Sequence, residues 1–279
     1  MTIDTVPRGD VRATLNFFAA PADNSTPYNL IRPEGAAGER NYGDSPTETL
    51  IHDIRGRESD FTLDHDAFAV IRNLPPSSEK DFVDDASVKK NYYPEVERLI
   101  LEHVPGSNRV FFFDHIIRRA GHKAFKHPVF RVHIDHTLNA AIKRIKMYLP
   151  EEADKLLAGR YRIINVWRPL NKSPVESCPL AYASSSTLAE EDVIPIEHRH
   201  ATGYIGETAS IKFNPQQKWY YLSGMTDDER LLLEIVDSQG RRDGLASRRL
   251  AHSAFQDPRT RVDAEGRESI EVRALVFGP

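Results

Sequence analysis

Short runs of β-branched and aromatic residues alternate with turn-rich stretches through the second half of the chain, a pattern of strands rather than helices. Tyr161-Arg162-Ile163-Ile164-Asn165-Val166-Trp167, Lys218-Trp219-Tyr220-Tyr221-Leu222, Leu231 to Val236 and Ile270 to Phe277 all have this character. So does Arg109-Val110-Phe111-Phe112-Phe113, while Val129 to Ile134 alternates, with Arg131 and His133 on one face. Two segments follow the helical period instead. Tyr92 to Glu102 places Pro94 in a first turn, spaces its apolar residues helically and stops at Pro105-Gly106. Asn139 to Leu157 reads as helix, broken at Pro150 and restarted by the acidic turn Glu151-Glu152-Ala153-Asp154. Residues 1 to 60 are rich in Pro, Gly, Asn and Asp with little sustained period, which predicts short strands and loops laid over a core built elsewhere.

This pattern predicts a mostly β protein with flanking helices. At 279 residues the chain is long for one domain and short for two, and β-barrels often exceed 200 residues, so a single elaborated domain over 1–279 is expected. Within it, 1–105 would be an N-terminal covering arm with helices and 106–279 the β core.

Composition narrows the function classes. With 40 % hydrophobic and 28 % charged residues the chain resembles an ordinary soluble domain, and no run approaches the roughly 18 apolar residues of a membrane helix. A net charge of −4 and a pI near 6.3 provide no basic field for phosphate backbones, so nucleic acid is a poor partner. The first ten residues lack the apolar core of a signal peptide, and the lone Cys178 cannot form an internal disulfide. A cytoplasmic protein acting on a small molecule is the resulting expectation, with Cys178 a small buried hydrophobe.

Candidate chemistry begins at His133-Ile134-Asp135. Among eleven histidines, only His133 is followed two positions later by a carboxylate. On a strand, residues i and i+2 face the same side, so the pair would project together toward one ion. A facial triad needs a second imidazole from elsewhere and leaves three positions open for a bidentate co-substrate and dioxygen. Downstream come His252, in Leu250-Ala251-His252-Ser253-Ala254-Phe255, and then Arg267-Glu268-Ser269-Ile270-Glu271-Val272-Arg273. A dicarboxylate co-substrate needs a cation at its far end. Arg267 offers a planar fork, with the Ser269 hydroxyl on the same strand face; Arg273 shares that face and is the second candidate. The His198-Arg199-His200 pair lacks a matching carboxylate and lies between loop-like segments, and His115, His122, His127 and His136 are expected to be surface or supporting groups.

Taken together these residues resemble the fungal and bacterial hydroxylase/desaturase family of iron(II)/2-oxoglutarate-dependent oxygenases. The resemblance spans nearly the whole chain. It is carried by Arg40-Asn41-Tyr42-Gly43, Asp53-Ile54-Arg55-Gly56-Arg57-Glu58, Phe113-Asp114-His115 with Arg118, Val132-His133-Ile134-Asp135, Ile164-Asn165-Val166-Trp167-Arg168-Pro169, Trp219-Tyr220-Tyr221 with Asp237-Ser238, the His252 stretch, and Arg267 to Arg273. It implies a double-stranded β-helix of the jelly-roll type, iron(II) held by His133, Asp135 and His252, and 2-oxoglutarate held by Arg267 and Ser269, with dioxygen as oxidant. The stretch Pro179-Leu180-Ala181-Tyr182-Ala183-Ser184 departs from the family, where an acidic residue commonly follows. Asn165 and Trp167 share a strand face; if it lines the barrel, Asn165 would reach the co-substrate carboxylate and Trp167 would wall the pocket. Arg168 faces the other way, toward a structural ion pair. Arg40 and Tyr42 in the arm would cover the barrel mouth and contact a polar substrate.

Two other function classes fit parts of the pattern. A metal-free binding barrel would have no use for His133, Asp135, His252 and Arg267 together. A zinc hydrolase with the same triad would have no use for a dedicated dicarboxylate anchor.

Overall fold

The computed structural model describes residues 6–31, 39–120, 128–242 and 249–279; His122 and His127 lie outside these. In chain order the strands are β1 (Val11–Ala19), β2 (Tyr28–Ile31), β3 (Gly43–Asp53), β4 (Phe68–Ile71), β5 (Arg109–Arg118), β6 (His133–Ile134) and β7 (Arg160–Pro169). They continue as β8 (Leu180–Ala183), β9 (Val193–His200), β10 (Ile205–Ile211), β11 (Trp219–Tyr221), β12 (Arg230–Asp237), β13 (His252–Ala254) and β14 (Ser269–Gly278). One sheet of nine runs β1-β3-β11-β8-β13-β6-β10-β9-β2, and one of five runs β4-β12-β7-β14-β5. From β6 the chain crosses to β7 and returns at β8; from β11 it crosses to β12, returns at β13 and crosses again to β14. That winding between two facing sheets is the double-stranded β-helix the family resemblance implied.

Burial explains the strand sequences. Ile163 and Trp167 of β7, Leu231 and Leu233 of β12, and Leu275 of β14 meet Leu15, Phe17, Ile51 and Trp219 between the sheets. The opposite faces of the same strands, with Ile164, Val166, Leu232 and Val272, are covered by Val96, Leu99 and Ile100 of the helix Tyr93–His103. Strands buried on both sides are dense in apolar residues, which is why β7, β12 and β14 stood out despite the charged and polar residues within them. The helix Leu138–Tyr148 is capped by Thr137, whose hydroxyl accepts from the Ala140 amide at 3.2 Å, and it ends before Pro150. No helix among the described residues is long and apolar enough to cross a membrane.

Two expectations change. The segment Val129 to Val132 is not strand; only His133–Ile134 pairs as one. Its backbone groups are divided between two strands: Arg131 makes a single parallel bridge to Asn16 of β1, whose carbonyl accepts from the Val132 amide at 2.9 Å and whose side chain donates to the Phe130 carbonyl at 2.8 Å, while the Val129 carbonyl accepts from the Ala254 amide of β13 at 2.8 Å. The first 60 residues, in turn, hold long strands rather than short ones. β1 has 9 residues and β3 has 11; they pair antiparallel from Val11↔Ile51 to Ala19↔Gly43, and β3 joins β11 in parallel. Val11, Ala13, Leu15 and Phe17 alternate inward along β1.

Phe17 tests this placement. It is wholly buried, with its ring edge-on to Phe213 at 5.2 Å and Trp219 at 5.8 Å. Phe17→Ala is expected to cost about 3–5 kcal/mol in denaturant unfolding, whereas a peripheral strand would lose less than about 1 kcal/mol.

Candidate metal centre

Strand β13 lies antiparallel beside β6 with His252 directly opposite His133, and Asp135 follows at the end of β6. The rings of the two histidines stand 4.4 Å apart between centroids, inclined at 49°. Their Nε2 atoms lie 3.3 Å (His133) and 4.0 Å (His252) from Oδ1 of Asp135. One ligand atom from each of the three residues falls within 4.8 Å of the others. That spacing suits a single ion at about 2 Å from each donor.

The tautomers agree with metal binding. Nδ1 of His133 donates to the carbonyl of Arg131 at 2.7 Å, and Nδ1 of His252 donates to that of Leu250 at 3.2 Å. Both bonds reach two residues back along the chain, place the proton on Nδ1 and leave the Nε2 lone pair for an ion. Burial, then the neighbouring His133, pushes the His252 imidazolium down to about 4, so it is neutral near pH 7. Burial works against ionisation of Asp135, but the His133 bond and nearby positive charge hold its carboxyl well below the usual range. Burial likewise opposes a charge on His133, yet its bond to Asp135 raises the imidazolium; a bound ion would replace that proton.

The same cleft contains Arg267, 6 % exposed. Its Nη1 donates to the carbonyl of Cys178 at 2.6 Å, presented by a left-handed turn at that residue (φ 51°). Its guanidinium carbon sits 5.8 Å from the Trp167 ring. Nε is buried without a partner, and no carboxylate lies within ion-pair distance among the described residues. Burial first, then Arg118, lowers its pKa to about 10. A cation enclosed without an anion is costly, and a carboxylate entering the cleft would relieve that cost.

Arg273 contrasts with it. Its Nε and Nη2 each bond a separate oxygen of Asp114 at 2.6 Å, so its fork is already occupied. Ser269 is buried, opposite Arg118 on β5 and Pro169 on β7. Asn165 and Trp167 do share the inward face, but the Asn165 amide nitrogen donates to Oδ2 of Asp135 at 2.7 Å. Arg168 faces outward, where Phe82 and Tyr92 cover its guanidinium at 4.9 and 5.5 Å and Asp227 stands 3.9 Å away.

Other sites lie elsewhere. Arg40 forks onto Asp44 at 2.9 and 2.7 Å, and the Tyr42 hydroxyl accepts from Arg131 at 3.0 Å; neither lines the cleft. His198 and His200 belong to strand β9 rather than to a loop, and His198 Nε2 lies 2.9 Å from the Thr208 hydroxyl. His115 meets the Tyr93 hydroxyl at 3.0 Å, and His136 is buried edge-on to Phe113. Sequence reading gave no role to one charged residue of the cleft wall. Glu271, whose carboxyl is pushed up to about 7 by burial and then by Asp135, lines the cleft with Arg118. The alternation that linked Arg267, Ser269 and Arg273 also contained it.

Comparison with known proteins agrees with this geometry. A family model described as an oxidoreductase/YMDC permease-like domain matches residues 15–277. The chain is 35 % identical to hydroxylase/desaturase poxK of Penicillium oxalicum, over 99 % of this chain and 94 % of that protein. It is 34 % identical to the Fe(II)/2-oxoglutarate-dependent dioxygenase nvfI of Aspergillus novofumigatus, over 90 % of each. Among solved structures, the iron and alpha-ketoglutarate-dependent endoperoxidase NvfI superposes with a TM-score of 0.84 at 30 % identity, covering 98 % of this chain and 99 % of that one.

Proposed function

The chain belongs to the fungal hydroxylase/desaturase family of iron(II)/2-oxoglutarate-dependent oxygenases, and on that footing we propose that His133, Asp135 and His252 hold its iron and that Arg267 with Ser269 holds its 2-oxoglutarate. It is a dioxygenase of secondary metabolism dependent on both. The observation that carries the residue assignment is the buried guanidinium of Arg267 in the cleft of the triad, which forms no ion pair among the described residues. Neither a metal-free barrel nor a zinc hydrolase accounts for that cation.

Bound there, iron(II) with 2-oxoglutarate and dioxygen supplies the oxidising power to take hydrogen from an unactivated C–H bond. Three protein ligands on one side leave the remaining positions for co-substrate and dioxygen. Arg267 grips the far carboxylate through its fork while Trp167 walls the pocket. Ile116, Val129, Leu180 and Ala254 keep water from the triad, and Arg118 and Glu271 supply polar contacts to a small metabolite, including one derived from an amino acid. Hydroxylation, desaturation or oxidative ring closure then depends on where the substrate carbon is held. Succinate release measured under iron(II), ascorbate and air is expected to require both iron and 2-oxoglutarate. Hydrolytic activity with zinc and no 2-oxoglutarate consumption would overturn the assignment.

Arg40 and Tyr42 we assign to bracing, because Tyr42 bonds Arg131 directly and Arg40 reaches it through Asp44, and the Arg131 carbonyl orients His133. Replacing both with Ala is expected to lower stability by about 3 kcal/mol while substrate-independent 2-oxoglutarate consumption is unchanged. Faster uncoupled consumption with unchanged melting would instead make the arm a lid.

A further inference from the structure

Asp135 has two oxygens, and the imidazoles face only one of them. The Nε2 atoms of His133 and His252 lie 3.3 and 4.0 Å from Oδ1, whereas Oδ2 accepts the 2.7 Å bond from Asn165. An ionised carboxylate only accepts, so this contact selects the nitrogen of the Asn165 amide and sets which way the amide faces. Asn165 is wholly buried, and its amide oxygen has no partner among the described residues. A buried carbonyl left unpaired is destabilising. Its neighbours on the same strand face, Ile163 and Trp167, belong to the apolar interior, where an aliphatic side chain would carry no such cost. An arrangement that gives up stability to place one N–H on one carboxylate oxygen points to a functional requirement.

We propose that Asn165 is a positioning residue: it holds Asp135 as a single-oxygen ligand, keeping Oδ1 with the two imidazoles and the remaining positions of the ion open. Without it, the carboxylate turns about its terminal torsion, presents both oxygens and closes a position that the co-substrate needs. The inference rests on the triad being the metal site, and the test separates the two.

Full-length apoprotein is titrated with Co(II), whose visible absorption reports coordination, in the wild type, His133→Ala, Asn165→Leu and Asn165→Ala; 2-oxoglutarate is then added to the Co(II)-loaded forms. Asn165→Leu is expected to melt no lower than wild type without metal, to show an altered Co(II) spectrum, and, once loaded with Co(II), to bind 2-oxoglutarate about 10- to 100-fold more weakly. Asn165→Ala should repeat the loss of affinity if the larger side chain disturbs folding. If both folded variants keep wild-type Co(II) affinity and spectrum while His133→Ala loses binding, the inference fails and the metal site stands. Weakened 2-oxoglutarate binding with an unchanged Co(II) spectrum would also overturn it, making Asn165 a direct co-substrate contact. Unchanged Co(II) binding in His133→Ala would remove the metal site and the inference together.

Discussion

Replacing either imidazole, His133→Ala or His252→Ala, is expected to abolish iron binding and 2-oxoglutarate turnover while the protein stays folded. Each ring supplies one of three donors, so its loss should exceed the about 10- to 100-fold that loss of a supporting partner costs. Stability should barely respond. Neither histidine belongs to an apolar cluster, and the backbone of β13 remains paired with β8 through Ser253↔Ala181 and Ala254↔Leu180. Removing His252, 4 % exposed, also relieves the burial that pushes its imidazolium down to about 4. A melting shift of no more than about 2–4 °C, corresponding to roughly 1 kcal/mol, is expected. Metal titration and circular dichroism on each variant check this. Full turnover in either would remove that residue from the site.

Arg267→Ala should raise the 2-oxoglutarate KM by about 100-fold or more, since losing a charged fork to a carboxylate in an enclosed cleft costs about 3 kcal/mol. The variant need not be less stable in the absence of ligand, because among the described residues Arg267 is buried with Nε unpaired and makes no ion pair. Ligand-induced stabilisation should therefore distinguish the proteins. At 2-oxoglutarate about 100-fold above its dissociation constant, wild type gains about 2.7 kcal/mol that the variant at the same concentration largely lacks. Arg267→Lys should recover only part, as a point charge without the fork. Arg273→Ala breaks the pair with Asp114 and is expected to lower stability with little change in KM. The reverse pattern, with KM rising for Arg273→Ala alone, would place the anchor six residues further along β14.

Much of the scaffold was legible in local pattern. β7, β12 and β14, buried on both faces, announced themselves as runs dense in β-branched, aliphatic and aromatic residues, and the helix Tyr93–His103 by its Pro and its spacing. β1 carried an alternation just as regular, but Arg12, Thr14 and Asn16 on its outward face diluted it until its pairing with β3 was seen. Val129 to Val132 alternated without becoming a strand, because its backbone bonds are split between Asn16 of β1 and Ala254 of β13 instead of forming one ladder.

At the site, the same-face relation of His133 and Asp135 follows from strand geometry alone, as does the shared face of Arg267, Ser269, Glu271 and Arg273. Those relations depend only on neighbours in the chain, and so a sequence can specify them. Which imidazole completes the triad was implied by resemblance and depends on β13 being laid against β6. Which arginine is open depends on β5 delivering Asp114 to Arg273 and nothing acidic to Arg267. Whether Asn165 faces a ligand or a carboxylate depends on where Asp135 stands across the barrel. Availability of a polar group is set by what distant strands place within about 3 Å of it, a quantity that no local period encodes and only the assembled sheets supply.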